Sequence, residues 1–511
     1  MTAPFFSRAT EEEVGSFYYP LGMVAFTLSE PAKAVVERIR SHQPIRVEDH
    51  GHEELLRIAY EVTSLFHEMR HYFDMFGTTA GISLFLGRLS LLRKFVQIGQ
   101  TLNAARMPWT LPLGNWAASG VCPEPIRHFI RHARTFEAAE ELYVAPFAPL
   151  EVEGHTQGLT VDMAYEGGDT VVAFPLRIAR VRADGEARLR SVLHPIGLEA
   201  LLEGNAHAVC REMSSHCFPP EIARELTLPH RMTISHGDTE GTDTEQAVAQ
   251  SVTSYMVTDL LISKHFANHG ILQFPRDLIL SLTDRVLTTG VIQTVHLQHG
   301  ATGIQFDRLG NDLVDLLVAS DLKALAAAAQ STQPEVDHAY DGLLASLERR
   351  PDWDGVKDDD SLLSSLAIWE AYVAKHCVVP LLQLRQATSN RAFRGVSDFL
   401  NALNVIGSPP VRVANGKLLI DSLPARVQSA WWHHLVLGEV LRQLVRGNTP
   451  VFCPRAHSLF PGIDSANLSF EGECRRHMPR GCGTFREAPV AFQPNCLFEN
   501  VLNECGLKRP Q

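Results

Sequence analysis

The sequence predicts a mainly α-helical protein with one small β-meander insertion, an α+β chain. Three observations carry this. Apolar residues recur at three- and four-residue steps through most of the 511 residues, which is the helical period. One region, about 145–193, switches to strand-like runs broken by turn residues. The chain is also too long for one ordinary core, so several helical regions are expected.

Taken in order, SFYYPLGMVAFTLS (Ser16 to Ser29) is aromatic and β-branched enough for one or two strands, and Pro31 to His42 reads as a short helix. From Leu55 to Phe76 the positions Leu55, Ile58, Ala59, Val62, Leu65, Phe66, Met69, Phe73 and Phe76 form a stripe sustained over several turns. Gly77 stops that helix, and Thr78 and Thr79 are candidate caps for a second one through Leu84, Phe85, Leu89 and Leu92. Residues 101–125 read as irregular, and Arg127 to Tyr143 as helix. The meander follows: Gly158 to Asp162 and Asp169 to Val181 joined at Glu166-Gly167-Gly168-Asp169, then Ala187 to Val192 after Ala183-Asp184-Gly185. Leu198, Leu201, Leu202, Ala206, Val209 and Met213 mark the next helix, and Thr244 to Ala267 another. Residues 275–329 and 361–447 read as helical, with Trp431 and Trp432 as core. The expected regions are 1–230, holding the insertion, then 231–335, 336–450 and a cysteine- and histidine-containing tail, 451–511.

Composition narrows the function classes. A content of 45% hydrophobic and 20% charged residues is that of a soluble globular protein. A net charge of -12 argues against a nucleic-acid backbone or an anionic membrane as partner. MTAPFFSRATEEE lacks the pattern of a secretory signal, and no uncharged apolar run has the length of a membrane span. The nine cysteines are an odd number and form no small secreted framework, so a reducing, cytoplasmic location is expected.

The chemistry concentrates in Leu65-Phe66-His67-Glu68-Met69-Arg70-His71-Tyr72-Phe73-Asp74, which contains an H-E-x-x-H. Histidines four apart on a helix stack on one face, so His67 and His71 can share one Zn²⁺, and Glu68 can accept a proton from a water activated there. His67, His71 and Asp74 fall opposite the apolar stripe, and Asp74 is placed to accept a ring N–H and fix its tautomer. A catalytic zinc needs a third protein ligand. Glu199, Glu203 and His207 stack along the flank of the later helix, and Glu203 is the choice, with Gly204 and Ala206 letting the two helices approach. Glu199, Glu137, Glu140, Glu141 and Glu245 are the competing carboxylates. His230, His236, Tyr72 and Tyr165 are candidates to lie over a substrate oxyanion. In the tail, Cys453-x₃-His457 and Cys474-x₂-His477 with Cys482 form a candidate second, structural zinc site.

HEMRHYFD followed by LLEGNAHAV resembles the gluzincin metallopeptidases, in which H-E-x-x-H is completed by a glutamate in an E-x-x-A-type segment, here Glu203 to Ala206. His-Tyr-Phe-Asp after the motif is similar to the collagenase branch. The resemblance covers the two motif helices only. It implies a zincin-like catalytic core, zinc on His67, His71 and Glu203, Glu68 as general base and a protein or peptide substrate. The long separation between His71 and Glu203 implies an inserted subdomain, and few residues precede the motif for an upstream sheet. The metzincin pattern fits less well, because Asp74 and Gly77 occupy its Gly and His/Asp places in the opposite order. The alternative is a non-catalytic helical scaffold that binds a partner and carries a structural or vestigial metal site.

Overall fold

The computed structural model describes residues 15–41, 43, 45, 50–141, 150–152, 161–164, 170–181, 187–227, 257–271, 277–297, 308–319, 324–325, 334–357, 359, 361–415, 417–420, 422–447, 451–452, 484–485 and 496–507. It is mostly helical with few strands. The buried residues form one contiguous core from Phe17 to Leu507 that runs across all four expected regions.

Strand β1 (Gly15–Tyr18) and strand β2 (Met23–Phe26) form an antiparallel hairpin, closed by a 3-10 turn over Tyr19–Leu21. Gly22 ends the turn in the left-handed region, at φ 59°, and a Cβ there would fall 2.4 Å from Phe76 Cζ, so only glycine fits. Helix α1 (Glu30–Arg40) starts at Ser29, whose Oγ accepts from Ala32 N and whose own N–H donates to the buried Glu61 carboxylate at 2.7 Å. Helices α2 (His52–Gly77) and α3 (Thr79–Ala104) meet at Thr78. Its Oγ1 accepts from Gly81 N at 3.1 Å and donates to Asp74 O at 2.6 Å, which serves one orphan group of each helix.

Two expectations are corrected here. From Met69 to Gly77 every residue of α2 is buried, so the C-terminal part of the helix is central, and the polar stripe expected opposite the apolar one stays open only before it, from His52 to His67. Within the stretch read as irregular, α3 continues to Ala104 and a short helix α4 (Leu113–Ala118) forms. Helix α5 (Glu124–Glu141) follows.

The meander is a four-stranded antiparallel sheet ordered β3-β6-β5-β4, from β3 (Leu150–Val152), β4 (Val161–Ala164), β5 (Thr170–Val181) and β6 (Ala187–Pro195). It delivers the chain to α6 (Leu198–Cys217), which packs along α2 and is followed by α7 (Pro220–Thr227). Then come α8 (residues 257–268), α9 (Asp277–Leu297), α10 (Arg308–Ala319) and α11 (Pro334–Glu348). Helix α12 (Leu362–Val373) runs through a π-helical segment, Ala374–Val378, into α13 (Val379–Ala387). This run is long and apolar enough to cross a bilayer, but it is mostly buried, with α12 against α3 and α13 against α2. Short α14 (Arg391–Arg394) and α15 (Val396–Ile406) lead to strands β7 (Arg412–Ala414) and β8 (Lys417–Leu419), then α16 (Ala425–Val445) and α17 (Leu497–Glu504).

Strands β7 and β8 lie in a stretch that reads as helical from sequence. They complete the N-terminal sheet in the order β1-β2-β7-β8, with β7 parallel to β2. Asn415 secures the junction: its Oδ1 accepts from Leu28 N at 2.8 Å and its Nδ2 donates to Leu28 O at 3.2 Å. The N-terminal hairpin is thus extended into a four-stranded sheet by residues nearly 400 positions away in the chain.

At its C-terminal end α2 is embedded in buried charge. Arg385 donates from Nε to Gly77 O at 2.5 Å and pairs twice with Asp284, at 2.5 and 3.0 Å, while lying 3.5 Å over the Phe393 ring. Tyr340 Oη also donates to Gly77 O, at 3.1 Å. Breaking one side of a fully buried ion pair leaves an uncompensated charge. Arg385→Met is therefore expected to lose about 3–5 kcal/mol in urea unfolding, and adding Asp284→Leu to restore a large part of it.

Trp431 and Trp432 are core, as expected, and on the same helix His434 is buried against Phe85 and Trp369. Burial, with Arg88 adding to it, pushes this imidazole down to about 3. The folded state therefore holds His434 neutral where the unfolded chain would protonate it, and this contribution to stability is lost as pH falls from about 6.5 towards 3. Urea unfolding should show a component of about 1.4 kcal/mol per pH unit between pH 6 and pH 4 that is missing in His434→Phe.

Candidate metal centre

The two motif helices meet as a ligand triad. His67 Nε2 and His71 Nε2 stand 3.0 Å apart, and Glu203 Oε2 is 3.1 Å from the first and 3.3 Å from the second. This is the one group of three or more metal-capable side chains among the described residues. A tetrahedral ion with ligand bonds of about 2.0–2.1 Å separates its ligand atoms by about 3.3 Å, so the triangle has the size of one face of a zinc site. His71 is 2% exposed, whereas the His67 and Glu203 side chains keep 13% and 18%, which leaves one side of the triad open to solvent.

His71 and Glu203 are held from outside the triad. The Tyr19 hydroxyl lies 2.7 Å from His71 Nδ1, and the Phe17 ring stacks beside the same imidazole at 6.1 Å and 27°. Glu203 sits on a tightly enclosed stretch of α6. Thr258 Oγ1 donates to Ala200 O, a Cβ on Gly204 would meet Thr258 Cβ at 2.9 Å, and Asn205 donates from Nδ2 to Asp74 Oδ2 at 3.3 Å while its Oδ1 accepts from Thr283. Gly204 therefore serves the approach of α8, and not that of α2 as the sequence suggests.

Glu68 is also enclosed, at 7% exposed, and β1 passes directly over it: a Cβ on Gly15 would lie 2.8 Å from its Cγ and 3.2 Å from its Oε1. Because glycine has no Cβ, the strand can approach the carboxylate closely.

No family model matches the chain, and neither a curated protein nor a solved structure matches it. The chemistry of the centre has to be read from its own atoms.

Electrostatics favour a cation. Burial alone would lower the His71 imidazole, yet Glu203, then Glu68 and Asp74, raise it. Burial would raise the Glu203 carboxyl, but the two imidazoles hold it well below the usual carboxylate range. Cys210, on α6 with its Sγ on Thr63 O at 3.1 Å, is pushed far up by burial and by the Glu68 and Glu203 charges, so it stays a neutral thiol.

Several candidates fall elsewhere. Asp74 does not orient an imidazole. It is fully buried, pairs twice with Arg70 at 2.9 and 3.1 Å, and accepts from Asn205, while Arg70 also donates to Phe393 O. Tyr72 is buried and hydrogen-bonds Cys377 in the core. The side chains of Glu199, Glu137, Glu140 and Glu141 lie outside the described residues, as do Glu245, His230, His236, Tyr165 and the tail positions Cys453, His457, Cys474, His477 and Cys482. Sequence reasoning missed Gly15, Phe17, Tyr19 and Asn205. The only signal for the first three was an aromatic run ahead of the motif helix.

The enclosure of α6 is directly testable. Gly204→Ala must displace α6 from α8 and should cost about 1–3 kcal/mol in urea unfolding. Gly197→Ala, whose Cβ would meet nothing within 4 Å, should stay within about 0.5 kcal/mol of wild type.

Proposed function

We propose that this protein is a zinc-dependent hydrolase, and most specifically a gluzincin-like peptidase with a zincin-like core. The observation that carries the reading is the triangle of His67 Nε2, His71 Nε2 and Glu203 Oε2 with Glu68 one residue along the same helix. His67, His71 and Glu203 would hold the ion, three protein ligands with a fourth position left for water or substrate. When bound, such an ion lowers the pKa of a water and polarises a carbonyl oxygen.

The rest is the work of the chain. Glu68, close enough to raise the His71 imidazole, receives the proton of the attacking water and returns it to the leaving amine. The fold around it removes bulk water and strengthens each of these charge interactions. Strand β1 forms the edge of its sheet and crosses Glu68 at Gly15, so an extended peptide can pair along it with the scissile bond near the carboxylate. This edge, together with the motif resemblance, favours a peptide over other hydrolysable substrates. Cysteines outside any disulfide at Cys122, Cys210, Cys217, Cys377 and Cys505 suit a reducing, cytoplasmic setting.

The test is metal content by mass spectrometry on protein purified without added metal, paired with cleavage of an unfolded protein substrate. About one zinc per chain is expected, absent in His67→Ala and Glu203→Ala and retained in a Cys474→Ala/Cys482→Ala double variant. Glu68→Gln should keep the zinc and lose at least about 100-fold in turnover. Zinc absent from wild type, or lost only with the cysteines, would overturn the proposal and leave α2 as architecture.

A further inference from the structure

The structure assigns Tyr19 as a positioning residue for the metal centre: its hydroxyl accepts the Nδ1–H of His71 and so keeps the Nε2 lone pair turned to the ion. The assignment rests on the reading of His67, His71 and Glu203 as zinc ligands. Neutral imidazole carries one ring proton, and Nε2 can ligate only if that proton sits on Nδ1, where it needs an acceptor. His71 is buried, so water cannot serve freely, and Asp74, the acceptor that the sequence suggests, is taken by Arg70 and Asn205. Tyr19 Oη stands 2.7 Å from Nδ1.

The placement of that hydroxyl is built into the fold. Where the β1–β2 hairpin packs on α2, two of its contact points, Gly15 against Glu68 and Gly22 against Phe76, leave no room for a Cβ. His71 lies between these points, so the hairpin has little freedom to slide, and Tyr19 falls on the turn opposite His71. The ring is seated edge-on against Phe17 at 4.6 Å and 89°. Strand β2 is fixed in turn by parallel pairing with β7 and by the Asn415 bonds to Leu28. The C-terminal half of the chain thus reaches the metal ligand through the hairpin, without contributing a ligand of its own among the described residues.

The experiment compares wild type with Tyr19→Phe, which keeps the seated ring and deletes the hydroxyl, and with Tyr72→Phe as control. Tyr72 is the neighbour of His71 in the chain, is equally buried, and spends its hydroxyl on Cys377 away from the triad. Zinc dissociation constants by chelator competition should rise about 10- to 100-fold in Tyr19→Phe and stay within about twofold in Tyr72→Phe. In ¹⁵N-resolved spectra of the zinc-loaded proteins, the hydrogen-bonded His71 Nδ1–H signal should be present in wild type and Tyr72→Phe and shifted or lost in Tyr19→Phe. A merely structural tyrosine would lower stability without moving that signal. Zinc affinity and signal unchanged in Tyr19→Phe would overturn the assignment alone. A wild type that takes up no zinc would overturn the metal site itself, and the role of Tyr19 with it.

Discussion

The carbonyl of Gly77 closes α2 in the middle of the protein, where no water can satisfy it, and the architecture depends on how that end is served. Arg385 and Tyr340 both donate to it. Bringing a guanidinium that deep requires a carboxylate, which is Asp284, and flat surfaces for its faces, which are the Phe393 and Tyr340 rings. One turn earlier Arg70 and Asp74 repeat the arrangement, with Phe393 O as a further acceptor. Two buried cations thus meet two buried anions around one helix end. Such pairs need not add net stability relative to a well-packed apolar core, but they tolerate few alternative packings. The result is a single permitted placement of α2 against residues 284, 340, 385 and 393.

That placement propagates to the His67–His71–Glu203 triad through Asp74. Its carboxylate accepts from Asn205, two residues beyond Glu203, so the ion cluster that fixes α2 also fixes the register of α6. Thr283 closes the same link from α9, beside Asp284. Glu203 therefore meets His67 and His71 because its helix is held from several sides, and not because the histidines attract it across open space. Preorganisation of this kind lets a site bind an ion without ordering its ligands at the moment of binding.

Much of this was legible in the sequence where one local signal sufficed. The 3.6 period located α2 and α6, the turn residues located the meander, and H-E-x-x-H with a flanking glutamate selected three side chains that the fold brings within hydrogen-bonding distance. What was not legible depends on long-range pairing. Strands β7 and β8 are three residues each, too short to show a period, and they exist because β2 offers them an edge. The spacing of Asp74 from His71 suggests a partner for the imidazole, but Arg70, one turn before Asp74, takes the carboxylate instead. Full burial makes that neighbouring guanidinium decisive. Tyr19 lies far from the motif in sequence, and nothing local in SFYYPLG distinguishes a core aromatic from one whose hydroxyl reaches a ligand.

The triad also argues from charge. Moving an imidazole from water to a buried position disfavours its protonated form, so a buried histidine without partners titrates lower than in solution. His71 is raised instead, because Glu203, Glu68 and Asp74 together outweigh its desolvation. The carboxylates around His71 thus favour positive charge on this imidazole in spite of its burial. Arg70, on the same helix, is committed to Asp74 and Phe393 O. A dication at the triad would answer the same carboxylates with twice the charge, and it would convert three crowded donors and acceptors into three ligands. This charge arrangement supports the proposed metal site beside the motif that suggested it.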